Sequence, residues 1–342
     1  MATVFGPVDS ELEPGARNAV EVCLTVRPGE RVALIADEES AEVAASLAAA
    51  VDAAGAVCEA VLLEHVAARP VEEAPPRVLQ ALGRADAGIL CIQPKEGELR
   101  ARMQIVGLVE ERRIRYAHMI GVTPQIMTQG MRADYQLVDR LSDRLLERAR
   151  AGRALRVRTP GGTAFTATFD PAMAWVKTSG LISRRYWSNL PAGEVFTTPG
   201  SVDGVFVCDA TAGDYFNAKY GDLRETPLRL EIAAGRLVAV ECARRDLEAE
   251  FRTYCHTDAG SARVGELAFG TNIGVSEMIG VLLQDEKAPG VHLAFGDPYG
   301  SQTGAGWSSS THVDVLTRQC DVWLDGEQVI AGGRYLLGAL GL

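Results

Sequence analysis

The stretch "STHVDV", residues 310–315, sets a histidine and an aspartate on either side of one valine. In an extended strand, residues two apart face the same way. His312 and Asp314 would therefore present an imidazole and a carboxylate side by side. Three other stretches also carry polar groups into apolar surroundings. "NLPAGEVFTTP" (189–199) places Glu194 between apolar neighbours, and "VGELAFGTNIG" (264–274) places Glu266 before an apolar run. "GVHLAFGDPYGS" (290–301) opens a buried-type strand with His292 and puts Asp297 and Tyr299 in the glycine-rich turn after it. An ionised group inside apolar sequence is costly unless it is paired or metal-bound. Four such cases in one half of a chain point to convergence. Carboxylate oxygen and neutral imidazole are the donors taken by Zn, Co, Mn and Fe(II), and a metal so held activates water and polarises a carbonyl. The plainer readings are a surface pair for His312 and Asp314 and a salt bridge for each glutamate; spacing alone leaves both open.

The elements that must position these residues fall into two textures. "RVALIA" (31–36) is a short buried-strand run, followed by an alanine-rich helical stretch ending near Gly55 and a second strand, "VCEAVLL". A β-α-β unit of this kind implies a parallel sheet. "ADAGILCIQ" (85–93) and "YAHMIGV" (116–122) add two strands, so the first domain reads as doubly wound α/β. No G-x-G-x-x-G follows the first strand, and a dinucleotide role has no support. "ADYQLVDRLSDRLLERARAG" (133–152) is an amphipathic helix with Leu137, Leu141, Leu145 and Leu146 on one face and Gly152 as its stop. Beyond it "LRVRTPGGTAFTATFD" reads as a hairpin, and short strands and glycine dominate to the end. The reading is an α/β domain over 1–152 and a strand-rich α+β metal-binding domain over 153–342.

Composition removes several classes of function. The chain has 342 residues, 47% apolar and 23% charged, with a net charge of -11 and no basic cluster, which argues against a nucleic-acid partner. No apolar run reaches the roughly 18 residues of a membrane span, and the N-terminal residues lack the charge and apolar pattern of a signal peptide. The seven cysteines form no C-x-x-C pair, the pattern of reduced thiols in a cytoplasmic protein rather than of a disulfide frame or zinc ribbon. Ser261 lacks the G-x-S-x-G elbow of a serine hydrolase. His256 and Trp307 are pocket candidates with ordinary structural alternatives, and His65 and His118 have no partner visible in the sequence.

"NLPAGEVFTTP", "GELAFGTN", "HLAFGDPY" and "HVD", in that order, resemble the M29 family of metal-dependent aminopeptidases of the aminopeptidase T and S type, together with its shorter relatives, 2,5-dihydroxypyridine dioxygenase and crocagin-type biosynthetic proteins. "GMRADY" and "VRTPGGTAFT" fit the same pattern, and the resemblance spans roughly residues 130–335. It implies metal ligands at Glu194, Glu266, His292, His312 and Asp314, with Tyr299 as the active-site tyrosine and Glu194 or Glu266 as proton acceptor. It also implies one or two divalent ions (Zn, Co or Mn), a peptide or small amide as substrate, a metal-activated water as nucleophile, and a homodimer. The family has a further glutamate five residues before the histidine; here that position is Lys287, with Glu286 one step before it, so either a one-residue slip restores the ligand or Lys287 places a cation where a second metal needs a carboxylate. Two alternatives stay open. His292, His312 and Asp314 match the facial triad of a non-haem Fe(II) ring-cleaving dioxygenase, and some biosynthetic relatives bind peptides without catalysis.

Overall fold

A computed structural model describes residues 2–342, with side chains from residue 4 onward. The chain forms two compact units, one comprising Met1–Tyr135 and Gly180–Ala192, the other Gln136–Ser179 and Gly193–Leu342. The division differs from a single boundary near residue 152. The amphipathic helix Tyr135–Ala151 buries Leu141, Leu145 and Ala149 in the core of the second unit, so its apolar face assigns it there. The segment 180–192 returns to the first unit because Ser188–Asn189 pairs in parallel with Ala117 and His118.

In the first unit the strands Arg31–Ala36, Val57–Leu62, Ala87–Ile92 and Arg115–Ile120 form a parallel sheet. In space the order is 188–189, 115–120, 87–92, 31–36, 57–62, the doubly wound arrangement expected from alternating strands and helices. The central strand 87–92 is buried along its whole length, as a strand covered on both faces must be. At its end and that of 31–36, the buried carboxylates of Asp37 and Glu98 hold Arg69 in ion pairs, and the backbone N–H of Gln93 donates to Asp37. The ends of these two strands are thus bridged by a side chain of the protein itself.

The second unit carries two antiparallel sheets. The larger has eight strands and includes three hairpins, 154–158 with 164–168, which the sequence marks, 228–233 with 236–241, and 321–324 with 327–331. The smaller runs in the order 312–315, 290–296, 264–270, 194–197, 176–178. Its strands alternate, apart from a bulge between Val264 and Glu266 that lets Val264 join the core. Val195, Leu267, Phe269, Leu293, Phe295, Val313 and Val315 enter the core of this unit, which leaves the even-numbered side chains for the opposite face. The seven cysteines are unbridged, and all but Cys58 are buried. Among the described residues no helix is long and apolar enough to cross a membrane.

Candidate metal centre

The even-numbered face of the smaller sheet is where the polar intrusions meet. Register places Ala294 opposite both Glu266 and Asp314, His292 opposite Ala268, His312 opposite Gly296, and Glu194 opposite Gly270. Directly opposed residues share a face. Glu194, Glu266, His292, His312 and Asp314 are therefore interleaved with alanine and glycine, whose small size leaves the space into which the donors converge. Gly270 has a second role. A Cβ there would sit 2.0 Å from the Ala288 carbonyl oxygen, so only glycine lets the 285–289 segment cross close over the sheet. That crossing is tied by the Asn272 N–H donating to the Lys287 carbonyl at 2.9 Å.

The resulting pocket holds six donors. Three overlapping groups, Glu194–Glu266–His292, Glu266–His312–Asp314 and Glu286–His292–Asp314, each bring three ligand atoms within 4.8 Å of one another. His292 Nε2 lies 3.2 Å from Glu194 Oε1, 3.7 Å from Glu266 Oε1 and 3.9 Å from Asp314 Oδ1. His312 Nε2 lies 3.5 Å from Asp314 Oδ1 and 3.8 Å from Glu266 Oε2. All except His312 and Glu286 are buried. His292 Nε2 is fully buried yet has no hydrogen-bond partner, although such atoms are almost always paired. An imidazole nitrogen facing several carboxylates without a proper hydrogen bond fits a metal ligand. The ring of His312 is oriented from behind, its Nδ1 meeting the Asp297 carbonyl at 2.9 Å, the outer contact that directs Nε2 toward an ion.

Glu286 and Lys287 complete the pocket. Lys287 Nζ stands 2.7 Å from Glu194 Oε2 and 2.6 Å from Glu286 Oε1, with its side chain 4% exposed. The resemblance set Lys287 where a second metal would need a carboxylate, unless a one-residue slip brought Glu286 into that place; both side chains enter the pocket. The signal that could have placed them is the local "QDEKAPG", an adjacent acid and base entering a buried strand. Tyr299 stands beside the cluster, its ring centroid 4.6 Å from that of His312 and its backbone left-handed at φ 50°, a costly conformation for a tyrosine and one that concentrates at functional sites. It is 39% exposed, so the pocket opens on the side of Tyr299 and His312. His256 lies elsewhere, at a helix end, with Nδ1 on the Arg252 carbonyl. His118 belongs to the first unit, where burial pushes it down to about 4. The Trp307 ring is stacked under Arg263.

Electrostatics shows what the crowding does in metal-free protein. Burial pushes Glu286 up to about 8 and raises Glu266. Burial alone would lower His292 and His312, but the surrounding carboxylates outweigh it and hold both at about 10. Burial likewise opposes ionisation of Glu194 and Asp314, yet Lys287 and His292 lower the first and His312 lowers the second. The raised groups stabilise the fold below their unfolded values, 4.5 for Glu286 and 6.5 for the histidines, and lose that contribution as pH rises through about 8 and about 10. The lowered carboxylates act oppositely, and their contribution is lost only in acid. Chelator-treated protein should therefore lose several degrees of Tm between pH 6.5 and 9.5, at about 2–4 °C per kcal/mol in a domain of 150–250 residues. Metal binding requires deprotonated donors, so the Tm gain on adding Mn2+ should grow over the same window. Scanning calorimetry with and without chelator checks both; a flat chelated profile contradicts this assignment.

Comparison with known proteins follows the same lines. A family model described as thermophilic metalloprotease (M29) matches residues 137–328, more than half the chain. The structure of 2,5-dihydroxypyridine dioxygenase from Pseudomonas putida superposes with a TM-score of 0.68 at 17% identity, covering 96% of this chain and 98% of that one. AmpT from Thermus thermophilus gives a TM-score of 0.66 at 20% identity, covering 95% and 99%. At these identities both likenesses speak for the fold. No curated protein matches.

Proposed function

The chain belongs to the M29 family of thermophilic metalloproteases, and from that premise we propose that it is a metal-dependent hydrolase of aminopeptidase type, acting on a peptide or small amide. The observation that carries the reading is the convergence of Glu194, Glu266, Glu286, His292, His312 and Asp314 on one pocket, around an imidazole nitrogen that lacks a hydrogen bond. Glu266, His312 and Asp314, whose ligand atoms lie within 4.8 Å of one another, would hold a divalent ion, with His292 beside them. Such an ion supplies Lewis acidity and a water that ionises near neutral pH.

The rest of the chemistry falls to side chains. Glu194 has one oxygen on Lys287 and the other beside His292, so both its oxygens are engaged. Glu266 meets no partner at hydrogen-bond distance, its oxygens standing 3.7 and 3.8 Å from the two imidazoles, so one oxygen would serve the ion and the other would accept a proton from an attacking water. Burial and the neighbouring carboxylates raise the Tyr299 hydroxyl well above its usual range, so it stays protonated and can donate to an oxyanion. The exposed flank at Tyr299 is the side from which a substrate carbonyl would enter. The homodimer implied by the resemblance and the cytoplasmic setting read from the unpaired cysteines belong to this same proposal.

One observation weighs hydrolysis against ring cleavage. Each of the three donor groups joins one imidazole to two carboxylates, whereas a facial Fe(II) triad needs two imidazoles on one ion. Protein loaded with Zn2+, Co2+ or Mn2+ is expected to release the N-terminal residue from short peptides, to stop when a chelator is added, and to recover with fresh metal. Iron-dependent oxygen uptake on 2,5-dihydroxypyridine, with no peptide cleavage under any metal, would replace this reading by the oxygenase one.

A further inference from the structure

We propose that the Lys287 ammonium occupies the place a second metal ion would need, so that this centre holds one divalent ion per chain. The proposal rests on the metallohydrolase reading above and specifies its metal content. Lys287 Nζ bridges Glu194 Oε2 and Glu286 Oε1 at 2.7 and 2.6 Å. Two carboxylates that would otherwise be free to clamp an ion are thus already joined through a cation.

The bridge is built into the backbone. Lys287 donates its N–H to the Gln284 carbonyl at 2.9 Å and accepts at its own carbonyl from Asn272, on the segment that only Gly270 allows to pass so close. With its side chain 4% exposed, the ammonium cannot swing into water to make room. Breaking a buried pair on one side strands the other charge, which costs several kcal/mol. Paired catalytic ions stand about 3.5–4 Å apart, and a second dication placed between these carboxylates would meet the ammonium at contact distance. Its hydration would be lost and its best oxygens already taken.

The donors that Lys287 leaves free suffice for one ion. Glu266, His312 and Asp314 bring three ligand atoms within 4.8 Å of one another, and three protein donors leave open the fourth position that a catalytic ion needs for water. His292 stands between this set and the Lys287 bridge, its Nε2 3.7 Å from Glu266 Oε1 and 3.2 Å from Glu194 Oε1. Lys287 therefore acts as a fixed charge that balances Glu194 and Glu286 whether or not metal is bound, and a chelator cannot remove it.

The test is metal stoichiometry, read without reference to turnover. Wild type, Lys287→Met and Lys287→Glu are purified without chelator, loaded with Mn2+, desalted, and analysed by mass spectrometry of the metal and by electron paramagnetic resonance. Wild type should carry one ion per chain with the spectrum of isolated Mn2+. Lys287→Met frees the oxygens of Glu194 and Glu286, and Lys287→Glu adds a carboxylate. Each should rise to two ions, with the spectrum of a coupled pair. If Lys287→Met does not fold, Lys287→Glu decides alone. Two ions in wild type, or one ion in every variant that folds, would overturn the proposal. No ion in wild type or in either variant would overturn the metal-centre reading itself, and this proposal with it.

Discussion

Glu266→Ala should lose metal and turnover together while the chain stays folded. Glu266 belongs to two of the three donor groups, with one oxygen toward His292 and the other toward His312. Losing a partner that merely orients a ligand already costs about 10–100-fold in metal affinity. Removing a donor that faces both imidazoles should cost more than about 100-fold, measured by competition with a metal-sensitive dye. The fold should tolerate the change. Burial raises the Glu266 carboxyl, so its ionised form is disfavoured where it stands. Chelator-treated Glu266→Ala is expected to melt at or above chelator-treated wild type. A purely structural glutamate would give the reverse pattern, a lowered Tm with metal affinity intact.

Tyr299→Phe should leave metal content and KM within about twofold of wild type and lower kcat by about 10²–10³-fold, the range found when one preorganised donor to an oxyanion is deleted. The ring would keep its contacts with His312 and Phe196, and its backbone would remain anchored by the N–H donated to Asp297 at 2.9 Å. Only the hydroxyl is lost. Selective loss of kcat marks an interaction made in the transition state alone. A change of less than about threefold would mean that Tyr299 shapes the mouth of the pocket without taking part in the reaction.

Much of this was readable along the chain because it follows from local periodicity. Period-two alternation in "GELAFG", "VHLAFG" and "HVDV" decides which residues share a face, whatever strand lies alongside. That is why His312 and Asp314 emerge as neighbours, and why Glu194, Glu266 and His292 stand out as charged or polar groups where apolar ones are usual. The parallel sheet, the hairpin of 154–158 with 164–168 and the helix 135–151 follow from equally local signals. In contrast, strand 176–178 and the return of 188–189 to the first sheet have only two or three residues each, too few to show a period.

The tertiary structure alone decided which faces meet and in what register. Ala294 standing between Glu266 and Asp314, and Gly270 beside Glu194, are facts about pairs of strands, and sliding one strand by a residue would turn its donors into the core. The position of Lys287 is still less local. Read along the chain it is a lysine where the family has a glutamate, and nothing local says which side chains it meets. In the fold, a glycine seventeen positions earlier admits its backbone, and its ammonium meets a glutamate 93 residues away. Sequence determined the kinds of donor this protein can offer, because side-chain chemistry and strand alternation are carried by each segment alone. Structure decided that one lysine stands among them, because the close approach of a loop to a sheet depends on residues that no single segment contains.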